Sequence, residues 1–357
     1  MTLISPIPRW WARFERMLGW LNMRALKHTT NYYPFAQLVR LSFIQFAHWS
    51  VFDRIPPGDP QGRRLPHPYL LFQTNFNRGW REYIEAFSYV VPTGVRLNWR
   101  CAYGFPPPRP VSRFLDYVEP RFTEAVHFYC AYPDASTRMV ISALDARRTF
   151  NQFAAVGRQP PALFLPAKKA SRRGRALGGT PKEATETISV LSPIMEGRED
   201  ALKQRLEALP QGAESPLAKV TGTHMARWSI VSPLPYKDTK EKIDSTSYLL
   251  FTSWYEGDTS AYTRALRSEL GELADEIWGN CVAYPGKSDL GDFWGYLIRH
   301  SIRPHLAFGG YTNSVSEVLA ALELRDELAP AVVKQSGLDT VALEGARRGA
   351  RRRRRFR

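Results

Sequence analysis

The sequence predicts an α+β fold built from two tandem copies of one strand–helix–strand–strand–helix–strand unit, and three observations carry that prediction. The first is a repeat at a fixed spacing. Ala47-His48-Trp49-Ser50-Val51 matches Ala226-Arg227-Trp228-Ser229-Ile230, 179 residues on, and Tyr69-Leu70-Leu71-Phe72 matches Tyr248-Leu249-Leu250-Phe251 at the same spacing. Pro56 and Pro235, Tyr83 and Tyr262, Trp99 and Trp278, Phe114 and Phe293, Tyr117 and Tyr296, and Tyr132 and Tyr311 keep that register. The second is composition: over 357 residues, 44% hydrophobic, 13% aromatic and 23% charged side chains exclude disorder through most of the chain. The third is a switch of apolar period between 2 and 3.6 that recurs in the same order in both halves.

Taken in order, residues 2–7 and 188–194 read as short apolar strands, each ending near Ser-Pro; here the spacing is 187, which implies a longer loop in the first copy. Helices follow, with Trp10, Phe14, Met17, Leu18 and Leu21 in the first copy and Leu202, Leu206 and Leu209 in the second at helical intervals. Segments 43–52 and 222–231, then 69–76 and 247–254, are rich in aromatic and β-branched residues and read as strands. Gln73 and Asn75 share one face of the third strand. Helices are expected at 79–90 and 258–274, with short extra helices around Phe114 and Phe293. Last strands are expected near 125–132 and 304–311. Closing helices carry Met139, Ile141 and Leu144, or Val315, Val318, Leu319 and Leu322. This is the split βαβ, ferredoxin-like order. Helices cover one face of such a sheet and leave the other apolar, so two fused copies bury their open faces against each other as an α+β barrel.

The expected domain plan is a first repeat over 1–150, a basic Gly/Pro-punctuated linker over 151–187, a second repeat over 188–330 and an Arg-rich tail over 331–357, read as disordered. The net charge of +15 falls to +7 without the eight arginines between Arg347 and Arg357. A basic groove on the folded part is therefore not implied, while the tail fits an anionic partner: an acidic protein, nucleic acid or a lipid surface. Arg9, Arg13, Arg16, Arg24 and Lys27, opposed only by Glu15, have the look of an organelle presequence, but the repeat gives that segment a structural role. No apolar run approaches the roughly 20 residues of a membrane-spanning helix. Cys101, Cys130 and Cys281 are too few and too scattered for a disulfide framework or a cysteine zinc site, and a cytoplasmic location is expected.

With its twin sheets and duplicated Trp, Tyr and Phe positions, residues 1–330 resemble the dimeric α+β barrel superfamily in its tandem form. That group includes the chlorite dismutase and dye-decolourising peroxidase relatives, which bind haem in one half. The Gly-x-x-Asp-Gly peroxidase signature is not found here, so the resemblance is one of architecture. It implies a cavity for a haem or a small organic substrate, one axial His and a nearby Arg. His224, His300 and His305 lie in the second copy, on or beside predicted strands. Alternation puts His224, Ala226, Trp228 and Ile230 on one face of their strand and Met225, Arg227 and Ser229 on the other. In the first copy Gln45 stands where His224 does and His48 where Arg227 does, as if only one half kept a site.

The expected axial ligand to haem iron is His305, then His224, then His300, with Trp228 beside the cofactor. Arg227, Arg303 and His224 are the candidates for acting on a bound peroxide or carboxylate. A bare metal at His300 and His305 lacks carboxylates at suitable spacing. Phosphate-loop, His-Glu-x-x-His and Gly-x-Ser-x-Gly motifs are absent. Three functions remain open: a haem-binding, peroxidase-like oxidoreductase; a cofactor-free barrel that binds or transforms a small hydrophobic or anionic metabolite through Arg227, His224 and aromatic walls; and a non-catalytic interaction protein using the tail and the aromatic first helix. An oligomer is compatible with each.

Overall fold

A computed structural model describes residues 1–28, 43–76, 79–155, 185–237, 242–286 and 290–335. The fold is mixed α+β, with two antiparallel sheets. In chain order the strands are β1 (Thr2–Pro6), β2 (Ile44–Ile55), β3 (Arg63–Phe76), β4 (Phe122–Thr123), β5 (His127–Cys130), β6 (Glu186–Pro193), β7 (Thr223–Val231), β8 (Tyr248–Tyr255) and β9 (Pro304–Gly309). The helices are α1 (Arg9–His28), α2 (Trp80–Val90), α3 (Pro92–Trp99), α4 (Val111–Val118), α5 (Thr137–Ala155), α6 (Glu199–Glu207), α7 (Thr259–Leu270), α8 (Glu272–Trp278), α9 (Leu290–Arg299) and α10 (Val315–Gln335). The helix expected over 258–274 breaks at Gly271, whose φ of +52° suits a residue without Cβ. α5 reaches Ala155 and β6 begins at Glu186, so both ends of the expected linker belong to regular elements. The rest of that linker and the Arg run lie outside the described residues.

The strand pairing departs from a plan in which each half closes its own sheet. The first sheet runs β4-β1-β3-β2-β9 and the second β5-β7-β8-β6. β9, from the second half, pairs with β2 of the first (Ala47 opposite Phe308, Trp49 opposite Leu306). β5, from the first half, pairs with β7 of the second (His127 opposite Trp228, Tyr129 opposite Ala226). The last strands are exchanged, and alternation alone carries no information on which partner a strand takes.

Three apolar clusters follow from this exchange. Leu3, Trp11, Trp49, Phe72, Trp99, Leu306 and Phe308 pack between the first sheet and its helices. Val190, Leu206, Trp228, Phe251, Leu266 and Trp278 do the same for the second sheet, with Tyr129 of β5 among them. Between the sheets, Ile4, Phe52, Tyr69 and Leu71 meet Leu191, Val231, Tyr248 and Leu250. Farther along the same interface the contacts turn polar. Gln73 Nε2 donates to Thr252 Oγ1 at 2.7 Å, and Ser189 Oγ donates to Gln73 Oε1 at 2.9 Å and lies 3.1 Å from His48 Nε2. Gln73 and Thr252 stand 179 residues apart in sequence, as do Tyr132 and Tyr311, whose hydroxyls bond at 2.7 Å. Residues matched by the sequence repeat thus touch one another at both places.

By compactness the chain divides into two units. Met1–Thr137 with Arg175–Val315 holds both sheets; Arg138–Gly174 with Ser316–Arg357 is described through α5 and α10, joined by Arg147 Nη1 donating to the Glu317 carbonyl at 2.9 Å.

Because Phe308 belongs to the second half yet packs in the first cluster, Phe308→Ala is expected to destabilise the whole sheet unit by about 3–5 kcal/mol in urea unfolding. Hydrogen exchange in β2 should accelerate with it, while exchange in β6 should change no more than global stability requires.

Candidate functional site: a buried guanidinium between the sheets

The inner face of β7 depends on one irregularity. Register shifts between Thr223 and Met225, and β2 has the same irregularity between Ile44 and Phe46. A bulge of this kind adds a residue to one strand and re-aims the side chains around it. The extra residue is His224 in β7 and Gln45 in β2. Simple alternation would set His224 beside Ala226 and Trp228. The bulge instead turns it towards the interior side, where Arg227 lies, while Ala226 and Trp228 face the helices in the second cluster. Trp228 therefore does not flank the site residues, contrary to the alternation pattern.

His224 is fully buried. Its Nδ1 lies 2.8 Å from the Tyr132 hydroxyl, its ring sits among Phe46, Tyr132 and Tyr311, and Nε2 has no protein partner. Burial pushes its pKa down to about 4. His300 is buried under Tyr296, with Nδ1 2.9 Å from the Tyr296 carbonyl, and burial lowers its pKa too. His305 packs against α1, where a Cβ on Gly19 would collide with its ring and carbonyl. Its Nε2 lies 3.7 Å from Glu15 Oε2. Burial pushes Glu15 up to about 8 and His305 down to about 3, so at neutral pH this contact joins two uncharged groups. Arg303 is exposed. The three candidate histidines are thus dispersed.

A haem does not fit this arrangement. An axial imidazole needs a ring nitrogen over an open cavity. His224 and His300 border neither of the two cavities described here, and the two nitrogens of His305 are covered. Among the described residues no cluster of three or more His, Cys, Asp or Glu has the geometry to hold a metal ion.

Arg227 is different. It is 4% exposed and borders a cavity of about 300 Å³ that Gln45, Asn75, Phe76, Phe128 and Cys130 also line. Its Nη1 donates to Asn75 Oδ1 at 3.1 Å and the Thr74 carbonyl at 3.4 Å. Nε and Nη2, the edge of the guanidinium that grips a carboxylate through two parallel bonds, have no protein partner, and no described carboxylate forms an ion pair with it. Burial pulls its pKa down only to about 10, so the charge persists at neutral pH. The repeat-equivalent His48 is also buried, and burial plus the Arg227 charge hold it near 3. At this position, then, one half carries a neutral imidazole and the other a cation.

No protein-family model matches the chain, and no curated protein matches it. No described helix is long and apolar enough to cross a membrane.

Sequence reasoning picked out Arg227 but missed its partner Asn75 and the buried Glu15. Glu15 does carry a signal: it falls on the Trp11, Gly19 face of α1, four residues from each, and that face is the buried one.

The buried imidazoles set an acid limb. Unfolded histidines protonate near 6.5, whereas His48, His224 and His305 stay neutral in the fold until about 3 to 4. The unfolded chain thus binds more protons below pH 6.5, and Tm is expected to fall as pH drops from 6.5 towards 4. Glu15 acts oppositely: its contribution is present below 4.5 and lost as pH rises to about 8. Thermal unfolding across pH should show His48→Gln flattening the acid limb and Glu15→Gln flattening the alkaline one.

Proposed function

We propose that the chain is a tandem ferredoxin-like α+β barrel whose interior site binds a small organic carboxylate at Arg227. The observation that carries this reading is the partnerless Nε/Nη2 edge of a buried, charged guanidinium beside a cavity. An uncompensated buried charge costs several kcal/mol, and a site that exists to receive a counter-charge accounts for the cost. Phe76 and Phe128 supply an apolar wall and Gln45 a polar side chain. A volume of about 300 Å³ lies at the small end of the range for ligand pockets, which points to an acid of benzoate or hexanoate size.

None of the lining side chains is a carboxylate or an imidazole, and burial pushes the Cys130 thiol up to about 11, leaving it protonated and weakly nucleophilic. The Met1 amino group also borders the cavity and donates to the Thr74 carbonyl at 2.9 Å; burial, then the Arg227 charge, lower its pKa well below the ordinary value. The repeat-equivalent contacts Gln73–Thr252 and Tyr132–Tyr311 support the tandem barrel, and the divergence of Arg227 from His48 supports a single site of this kind.

Calorimetric titration with benzoate and hexanoate should show saturable binding of at least one. Arg227→Met should weaken it tenfold or more, about 1.4 kcal/mol, and Arg227→Lys nearly as much, because an ammonium lacks the fork. Haem added to the same protein should give no bound Soret band. A bound Soret band, or carboxylate binding indifferent to Arg227→Met, would overturn the reading.

A further inference from the structure

The first helix, α1, meets the body of the protein through Trp11, Ala12, Glu15 and Gly19, all buried. A helix packed in this way ordinarily turns a polar face to water. α1 does not. Trp10 is 62% exposed, Met17 51% and Leu21 47%. Their spacing sets them on one stripe along the helix, with the partly buried Phe14 between them. Arg9, Arg13 and Arg16 are exposed along one side of that stripe. Arg16 contacts Asp53 at 3.5 Å, whereas Arg9 and Arg13 have no acid beside them among the described residues.

The second repeat supplies an internal control. α6 follows β6 as α1 follows β1, and it buries Leu202 and Leu206 against its own sheet. Its exposed side chains include Glu199, Asp200, Lys203 and Glu207, with charges of both signs and no large apolar group. An outward apolar stripe is therefore not a demand of the fold at this position. The first repeat alone combines it with cations, and the single acid of α1, Glu15, is buried.

Trp10, Met17 and Leu21 leave about 300 Å² of apolar surface open, well under the roughly 800 Å² that a stable protein partner covers. None of them lines the cavity at Arg227 or a second one of about 350 Å³ that Arg16 borders, so the stripe stands as a ridge without a groove. A lipid surface needs no matching contour: it takes up protruding apolar side chains and attracts the cations beside them through its anionic headgroups.

We propose that α1 lies on an anionic phospholipid surface, with Trp10, Met17 and Leu21 entering the boundary between headgroups and acyl chains and Arg9 and Arg13 against lipid phosphates. Trp is suited to that depth, with its ring in the apolar layer and its N–H at the polar edge. This surface is separate from the site at Arg227, and neither proposal relies on the other.

The test is co-sedimentation of the full chain with vesicles of phosphatidylcholine containing phosphatidylglycerol, with pure phosphatidylcholine in parallel. The mixed vesicles should bind more protein. The triple variant Trp10→Gln, Met17→Gln, Leu21→Gln should bind them at least tenfold more weakly; all three side chains are exposed, and circular dichroism with urea unfolding checks that the variant is folded. Because that variant keeps the carboxy-terminal arginines, its loss of binding measures the stripe and not their attraction to anionic lipid. Brominated acyl chains should quench part of the tryptophan fluorescence, and Trp10→Phe should bind as well as the parent while losing some of that quenching. Arg227→Met should bind vesicles as the parent does. Equal binding by the parent and the triple variant would overturn the proposal, as would no binding by the parent. So would a parent that sediments as a dimer and a triple variant that sediments as a monomer, which would assign the stripe to a second copy of the chain.

Discussion

The exchange of terminal strands is the constraint on which the interior depends. Because β9 completes the first sheet and β5 the second, each sheet is built from strands of both halves, and neither half closes a sheet alone. The two inner faces meet through apolar side chains over one stretch and through polar ones over another. Gln73, Thr252, Ser189 and His48 answer one another there, and burial makes each of these bonds costly to lose. The same enclosure holds the imidazoles neutral and gives Arg227 its unusual surroundings.

Divergence between the halves falls where positions matched by the sequence repeat come close. His48 and Arg227 occupy the same place in the two repeats, near enough for the guanidinium to depress the imidazole further. One charge there is tolerable; a second would repel it across a medium of low dielectric. A neutral His48 opposite a charged Arg227 is thus the stable way to keep a single cation in the interface. Asn75 and the Thr74 carbonyl orient that cation through Nη1 and leave the other edge clear.

Element types and their order were legible because the repeat lets each half check the other: Trp49 and Trp228, or Tyr83 and Tyr262, fall on the same faces of matching elements. Two features were not legible. Strand exchange leaves periodicity untouched, since Phe308 alternates identically whichever sheet it joins. The bulge at His224 and Gln45 is equally silent, because one extra residue reads as ordinary alternation until the pairing is seen. That single residue decides whether His224 lies with Trp228 or with Arg227. Of the site, Arg227 stood out as the residue the duplication had changed, whereas Glu15 was hidden by the basic composition of α1, where it is a single acid among five cations.

A guanidinium kept for a ligand and one kept for the fold have opposite effects when removed from the empty protein. Urea unfolding of Arg227→Met, measured without any added anion, separates them. The account predicts a variant at least as stable as the parent, because an uncompensated buried charge is replaced by an apolar side chain of similar reach. A loss of 3 kcal/mol or more would show that Arg227 is a structural tie between the sheets, and would contradict the account.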